Sequence, residues 1–270
     1  MNNKIGALYK PLKSNQQGLS LIELMVAVLL GLILTAAVLQ IFQSISLTFK
    51  HNDQLARIQE NGRFSLALLS RDIHMAGYRN PDKGELLNYF YADETNGCKA
   101  TDKFCTNDGG LNQNDRIAVQ LEAINETDCT GHKVASDKVV VNVYYLEELD
   151  NISTLHCRGF DPDTKTWLSD PAPLIAGIDA FQILYGIAGD DGYVTQYINA
   201  NRVNDWLKVR AVKIGMLVNS GEDNGFAGVK ERSYSILDSG ELIFKDNKVR
   251  YIYSTTFTIN NASLDMIGSI

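Results

Sequence analysis

Proline is scarce in this 270-residue sequence. There are five, and none lies between Pro11 and Pro81, so no proline breaks a helix there. A basic surplus is also missing: 25 Lys and Arg stand against 32 Asp and Glu, a net charge of −7. The first 18 residues carry Lys4, Lys10 and Lys13 and no acid, which leaves −10 for the remainder. Phosphate binding needs a basic patch, so an acidic body argues against nucleic acid as a partner. There is no low-complexity tract and no internal repeat. GxSxG, HExxH, Walker A and GxGxxG motifs are absent, and with them the signatures of several hydrolase, phosphotransfer and dinucleotide chemistries. No enzyme activity and no cofactor are expected.

One long apolar run is present. It covers about 24 residues, Leu19 to Phe42, and as a helix it spans roughly 36 Å, enough for a bilayer core of about 30 Å. The lysines precede it, so the positive-inside rule leaves residues 1–18 in the cytoplasm and sends the rest outward. A secretory signal would place a small-residue cleavage site after a shorter apolar run. Here Gly18 precedes the run, and cleavage there leaves the helix on the mature chain. Glu23 lies inside the run. A buried carboxylate costs several kcal/mol unless paired. A single helix offers no partner, whereas a bundle of related helices does: an α-amino group freed at Leu19 is a cation at the right depth.

"QQGLSLIELMVA" (16–27) resembles the cleavage and methylation signal of the type IV pilin superfamily. The resemblance implies that a prepilin peptidase cuts between Gly18 and Leu19 and methylates the Leu19 nitrogen. It makes Glu23 the assembly glutamate. Leu19 stands where Phe is usual.

The helix is expected to continue past the membrane, on a stripe of Ile41, Ile45, Leu55, Leu66, Leu69 and Ile73. Gly62 reads as a soft point. Gly77 reads as the C-cap, with Pro81 beyond. This predicts about 58 helical residues, roughly 87 Å. Ser70 and His74 are one turn apart, but Asp72 points to another face, so no triad forms and all three read as helix-surface residues. Half-buried antiparallel strands are expected at 116–123, 138–147, 152–160, 180–187, 207–218, 241–245 and 249–259. "LDNIS" (149–153) reads as a hairpin turn. Residues 193–206 read as a short helix with Tyr193, Tyr197, Ala200 and Trp206 inward. The fold class is α+β: a long N-terminal helix, membrane-spanning in its first half, packed on an antiparallel sheet. The expected divisions are a cleaved leader (1–18), a transmembrane helix (19–42), its periplasmic continuation (43–77) and a β-rich domain (78–270).

Four cysteines, Cys98, Cys105, Cys129 and Cys157, fall on the export side, where an even count suggests disulfides. Three pairings are open. Cys98–Cys105 with Cys129–Cys157 is preferred because the first closes a polar, turn-rich loop. Chain entropy assigns roughly 2.5 and 3.6 kcal/mol to these loops. His132 and His156 lie near cysteines, but His156 adjoins Cys157 and no CxxC occurs, so no metal is expected. "GIAGDDGYV" (186–194) lacks the alternating oxygens of a calcium loop and reads as a solvated hairpin.

In order along the chain, "LLSRDIHMAGYRN", "DGYVTQYINANRVNDWLKVRAVKIGMLV" and "VRYIYSTTFTINN" resemble the body of the PilW group of minor pilins. Many members have Leu-Arg-Asn where this chain has Thr258, Ile259 and Asn260. The resemblance implies an inner-membrane minor pilin of the type IV pilus. It joins other minor pilins in a priming complex at or near the pilus tip. Its implied partners are other minor pilins, the major pilin, the prepilin peptidase and the inner membrane, with room for a tip adhesin. A minor pseudopilin of a type II secretion system shares the helix and signal, and neighbouring genes separate the two. A membrane-tethered periplasmic enzyme or ligand-binding domain would explain the sheet but not the place of Gly18.

Overall fold

The structure is a computed structural model and describes residues 18–83, 87–92, 98–99, 102–123, 126–221 and 229–262. It divides into two units, residues 1–50 and 51–270. Helix α1 (Leu21–His74) has 54 residues, slightly fewer than expected. Ser20 stands outside as its cap. At the other end residues 75–77 form a turn in which Gly77 takes a φ of 74° and gives its N–H to the Gln120 carbonyl at 2.8 Å. That conformation and the close Tyr89 ring both call for glycine.

Within residues 51–74 the helix buries Gln54, Ile58, Gly62, Ser65, Leu69, Asp72 and Ile73. The expected stripe keeps only Leu69 and Ile73 of these. Leu55 and Leu66 are half-buried, and Ile41 and Ile45 are exposed. Gly62 corrects the reading of a soft point. A Cβ there would lie 2.6 Å from the Tyr253 ring, so the glycine admits close packing.

Five strands make one antiparallel sheet: β1 (Ile117–Glu122), β2 (Val139–Leu149), β3 (Ile152–Asp161), β4 (Thr166–Trp167) and β5 (Ala172–Ala176). The order is β1-β2-β3-β4, with β5 also on β3. The β2–β3 hairpin turns at Asp150 and Asn151, whose φ values of 52° and 61° fit a two-residue turn of the primed kind. Next come β6 (Ile178–Ala188), β7 (Val194–Ile198), β8 (Val209–Asn219), β9 (Lys230–Tyr234), β10 (Leu242–Asp246) and β11 (Arg250–Thr258). A second sheet runs β11-β8-β6-β7, and β9 and β10 form a separate ribbon.

Residues 193–206 are not a helix. They hold β7, one 3-10 turn at Ala200–Arg202 and the start of another at Trp206–Lys208. Tyr193 and Tyr197 are exposed, while Trp206 packs on Phe90 and Tyr185. Val194, Thr195 and Ile198 favour a strand, pairing with β6 confirms it, and the following asparagines favour turns.

The main core lies between the inner faces of the sheets and α1. It joins Ile58, Leu69 and Ile73 to Tyr144, Leu155, Phe181, Val212, Ile214 and Met216. The outer faces are covered as well, so half-buried strand patterning fails at β1, which is buried at every position. Tyr91, Phe104 and the Cys98–Cys105 loop cover Val141, Val143 and Phe160 on the first sheet. Phe104 stacks on Phe160 at 4.3 Å. The ribbon covers Ala180 and Leu217 on the second. Arg250 ties the ribbon down, with Nη1 and Nη2 on the Asp246 carboxylate at 2.7 and 2.6 Å and Nε on Asp179 at 2.6 Å. The Arg250 bonds hold Asp246 below the usual carboxylate range.

Candidate assembly site

The start of α1 is the candidate site. Gly18 and Leu19 precede the helix and are exposed. The Ser20 N–H and hydroxyl donate to Glu23 Oε2 at 3.1 and 3.3 Å, and the Glu23 N–H donates to Ser20 Oγ at 3.3 Å. This is a capping box: each residue satisfies a backbone donor that the helix start leaves open. It corrects the view that a lone helix offers Glu23 no partner. The signal was legible as Ser-x-x-Glu ahead of an apolar run, but the run drew attention to charge rather than to helix ends. The cap uses Oε2 only. No partner within the chain reaches Oε1 among the described residues, so that oxygen can accept a bond from another molecule.

Above this start every large apolar side chain from Leu19 to Phe49 is exposed. The two threonines turn their hydroxyls back on the helix, Thr35 to the Gly31 carbonyl at 2.7 Å and Thr48 to Ser44 at 2.9 Å. From Leu24 to Leu39 Thr35 is the only polar side chain, so its bond leaves no side-chain polar group there for a bilayer to penalise. The helix is long and apolar enough to cross one.

The other singled-out residues lie in the second unit. Cys98 is bonded to Cys105 and Cys129 to Cys157, with Cα separations of 5.7 and 6.3 Å. His156 is buried, with Nδ1 3.0 Å from the Thr154 carbonyl. His132 is exposed, and no group suited to a metal ion occurs among the described residues. Asp72 is not a surface residue. It is 1% exposed and accepts hydrogen bonds from Asn142 Nδ2 at 2.6 Å and the Tyr144 hydroxyl at 2.7 Å. Burial first, and Asp72 second, push the Tyr144 hydroxyl well above its ordinary range, which keeps it a donor. Asn142 Oδ1 accepts the Cys129 N–H at 3.0 Å, so the network runs from helix to disulfide. His74 faces β11, with Nδ1 2.7 Å from the Thr258 carbonyl and its ring edge-on to Phe257.

A capped apolar helix, exposed from Leu21 to Lys50, thus leads into an antiparallel domain. Residues 13–39 match the prokaryotic N-terminal methylation motif. Residues 143–261 match the Type IV Pilus-assembly protein W family. Together the two matches support a PilW-like type IV pilin, a minor pilin of the type IV pilus. A type IV-like pilin from Thermus thermophilus is similar to it at 15% identity, covering 76% of this chain and 98% of that one, with a TM-score of 0.44. No curated protein matches the chain.

Proposed function

We propose that this minor pilin acts in an inner-membrane priming complex that starts the pilus and then sits at or near its tip. Residues 1–18 are the cytoplasmic leader, 19–42 span the membrane, 43–77 continue the helix outside, and 78–270 form the export-side domain. The peptidase cuts after Gly18 and methylates Leu19. Glu23 then pairs through Oε1 with the mature amino terminus of a neighbouring helix, a charge-assisted contact that lipid leaves unscreened. The observation that carries this reading is the exposed Gly18–Leu19 peptide directly before a capped helix whose large apolar side chains from Leu21 to Phe49 are all exposed. Two disulfides support an oxidising export side. The protein is structural, and its action is assembly rather than catalysis.

N-terminal mass spectrometry tests the processing. The wild type shortens by 18 residues when the peptidase is present, and Gly18→Ala slows or blocks the cut. An intact leader on mature wild type ends the proposal. Glu23→Gln and Glu23→Ala test the pairing at matched membrane levels. Both are still cleaved, crosslink less to partner helices and yield fewer pili. Wild-type assembly by both variants would leave Glu23 with the capping role alone.

A further inference from the structure

A cavity of about 320 Å³ opens on the outer face of the first sheet, beside the Cys98–Cys105 loop. Tyr145 and Glu147 on β2, Arg158 on β3 and Trp167 on β4 line it, with Lys103 and Arg116 on the loop side. Three cations therefore converge in a chain whose net charge is −7. Their bonds leave specific donors free. Arg158 gives Nε to the Ser169 carbonyl at 2.8 Å and lies 4.3 Å over the Trp167 ring. This fixes the guanidinium plane and leaves both Nη groups without a bond among the described residues. Arg116 gives Nε to the Cys105 carbonyl at 2.6 Å and Nη2 to Asp102 at 2.7 Å, which keeps Nη1. Lys103 makes no ion pair among the described residues. Its place is set by the disulfide loop that Arg116 holds.

We propose that this cavity binds a carboxylate on a ligand about the size of one sugar ring or one amino-acid side chain. Charge matching selects a single negative charge. Against the three cations stand Glu147 and Asp115, which also line the cavity. The Asp115 oxygens are already taken by the backbone N–H groups of Gly109 and Ile183. The remaining site charge is one to two positive, which suits a monoanion. A polyanion would be repelled more strongly by a chain whose net charge is −7. Volume selects size, since 320 Å³ is at the small end of ligand pockets. The Arg158 fork, the remaining Arg116 Nη1 and a mobile ammonium favour a planar oxyanion with two acceptor oxygens. A sugar acid and an acidic side chain of a protein partner share this chemistry.

The test is isothermal titration of the full chain in detergent with glucuronate and with N-acetylglutamate blocked as its α-amide so that one carboxylate remains, with glucose and inorganic phosphate as controls. At least one carboxylate binds with a Kd below about 10 mM. Arg158→Gln and Lys103→Gln each weaken it about tenfold, as loss of a charge-assisted bond requires. Glucuronate alone points to a sugar acid, the blocked glutamate alone to an acidic protein partner, and both together to the shared carboxylate. Lys103 is exposed, so its variant keeps the fold and decides the matter if Arg158→Gln lowers the melting temperature. Absent carboxylate binding, equal binding of phosphate or glucose, or wild-type affinity in Lys103→Gln overturns the proposal.

Discussion

From Leu21 to Lys50, α1 shows apolar side chains on every face, and all are exposed. From His51 to His74 it buries a narrow line that includes a glutamine, a glycine, a serine and an aspartate. A helix that is hydrophobic all round is built for lipid or for a bundle of like helices. A helix with one buried line is built for a particular surface, and the aspartate in that line serves because Asn142 and Tyr144 donate to it there. Hydrophobicity therefore sorts the two halves by solvent, not by how much of each is buried in the lone chain.

Leucine truncation breaks this comparison most strongly. Leu69→Ala removes a fully buried side chain and should cost about 3 kcal/mol of domain stability. Leu29→Ala makes the same chemical change at a position 60% exposed and should leave domain melting within about 0.5 kcal/mol. Calorimetry of the full chain in detergent reads both. An equal loss would mean that the upper half also supports the domain.

Asp72 sharpens the point, because the acid belongs to the buried line. Asp72→Ala leaves Asn142 Nδ2 and the Tyr144 hydroxyl without their acceptor, at a cost of about 2–3 kcal/mol in chemical denaturation. Adding Tyr144→Phe to Asp72→Ala should recover part of that loss, because one orphaned donor is removed. A double variant that loses the full sum would break the network reading.

Gly62 carries a smaller effect. Gly62→Ala presses a methyl group into the Tyr253 ring, so about 1–2 kcal/mol is lost despite the better helix propensity of alanine. A more stable Gly62→Ala variant would restore the soft-point reading. Pairing it with Tyr253→Leu should relieve the clash.

The remaining probe is pH. Asp115 is 3% exposed, and desolvation raises its pKa to about 7 despite two backbone N–H donors. The folded chain therefore holds this proton more tightly than the unfolded chain does. Its contribution to stability is full below pH 4 and declines as pH rises to about 7, by at most about 1.4 kcal/mol per pH unit. Asp115→Asn should flatten that slope in melts taken between pH 4 and 8. An unchanged slope assigns it to other groups.

Much of this was legible in advance, for reasons that differ by region. Seven strand segments were legible as alternating or β-rich runs, even where, as at β1, both faces are covered. The β7 segment was missed because its tyrosines stay exposed and only pairing with β6 makes it a strand. The Ser20–Glu23 cap needs only residues three apart and could have been read. Asp72 could not, since Asn142 and Tyr144 lie 70 and 72 residues away.

By itself the sequence determined the apolar helix, the place of Gly18 before it, the charge asymmetry across it and the antiparallel character of the domain. These are local matters of composition and period, which solvent and backbone sterics read directly. Only the tertiary structure decided which helix residues are buried, why Gly62 must lack a side chain, where Asp72 finds its donors, and that Lys103, Arg116 and Arg158 share one cavity. Each of these depends on close packing between segments distant in the chain, where ångström-scale contact rather than residue type sets the outcome.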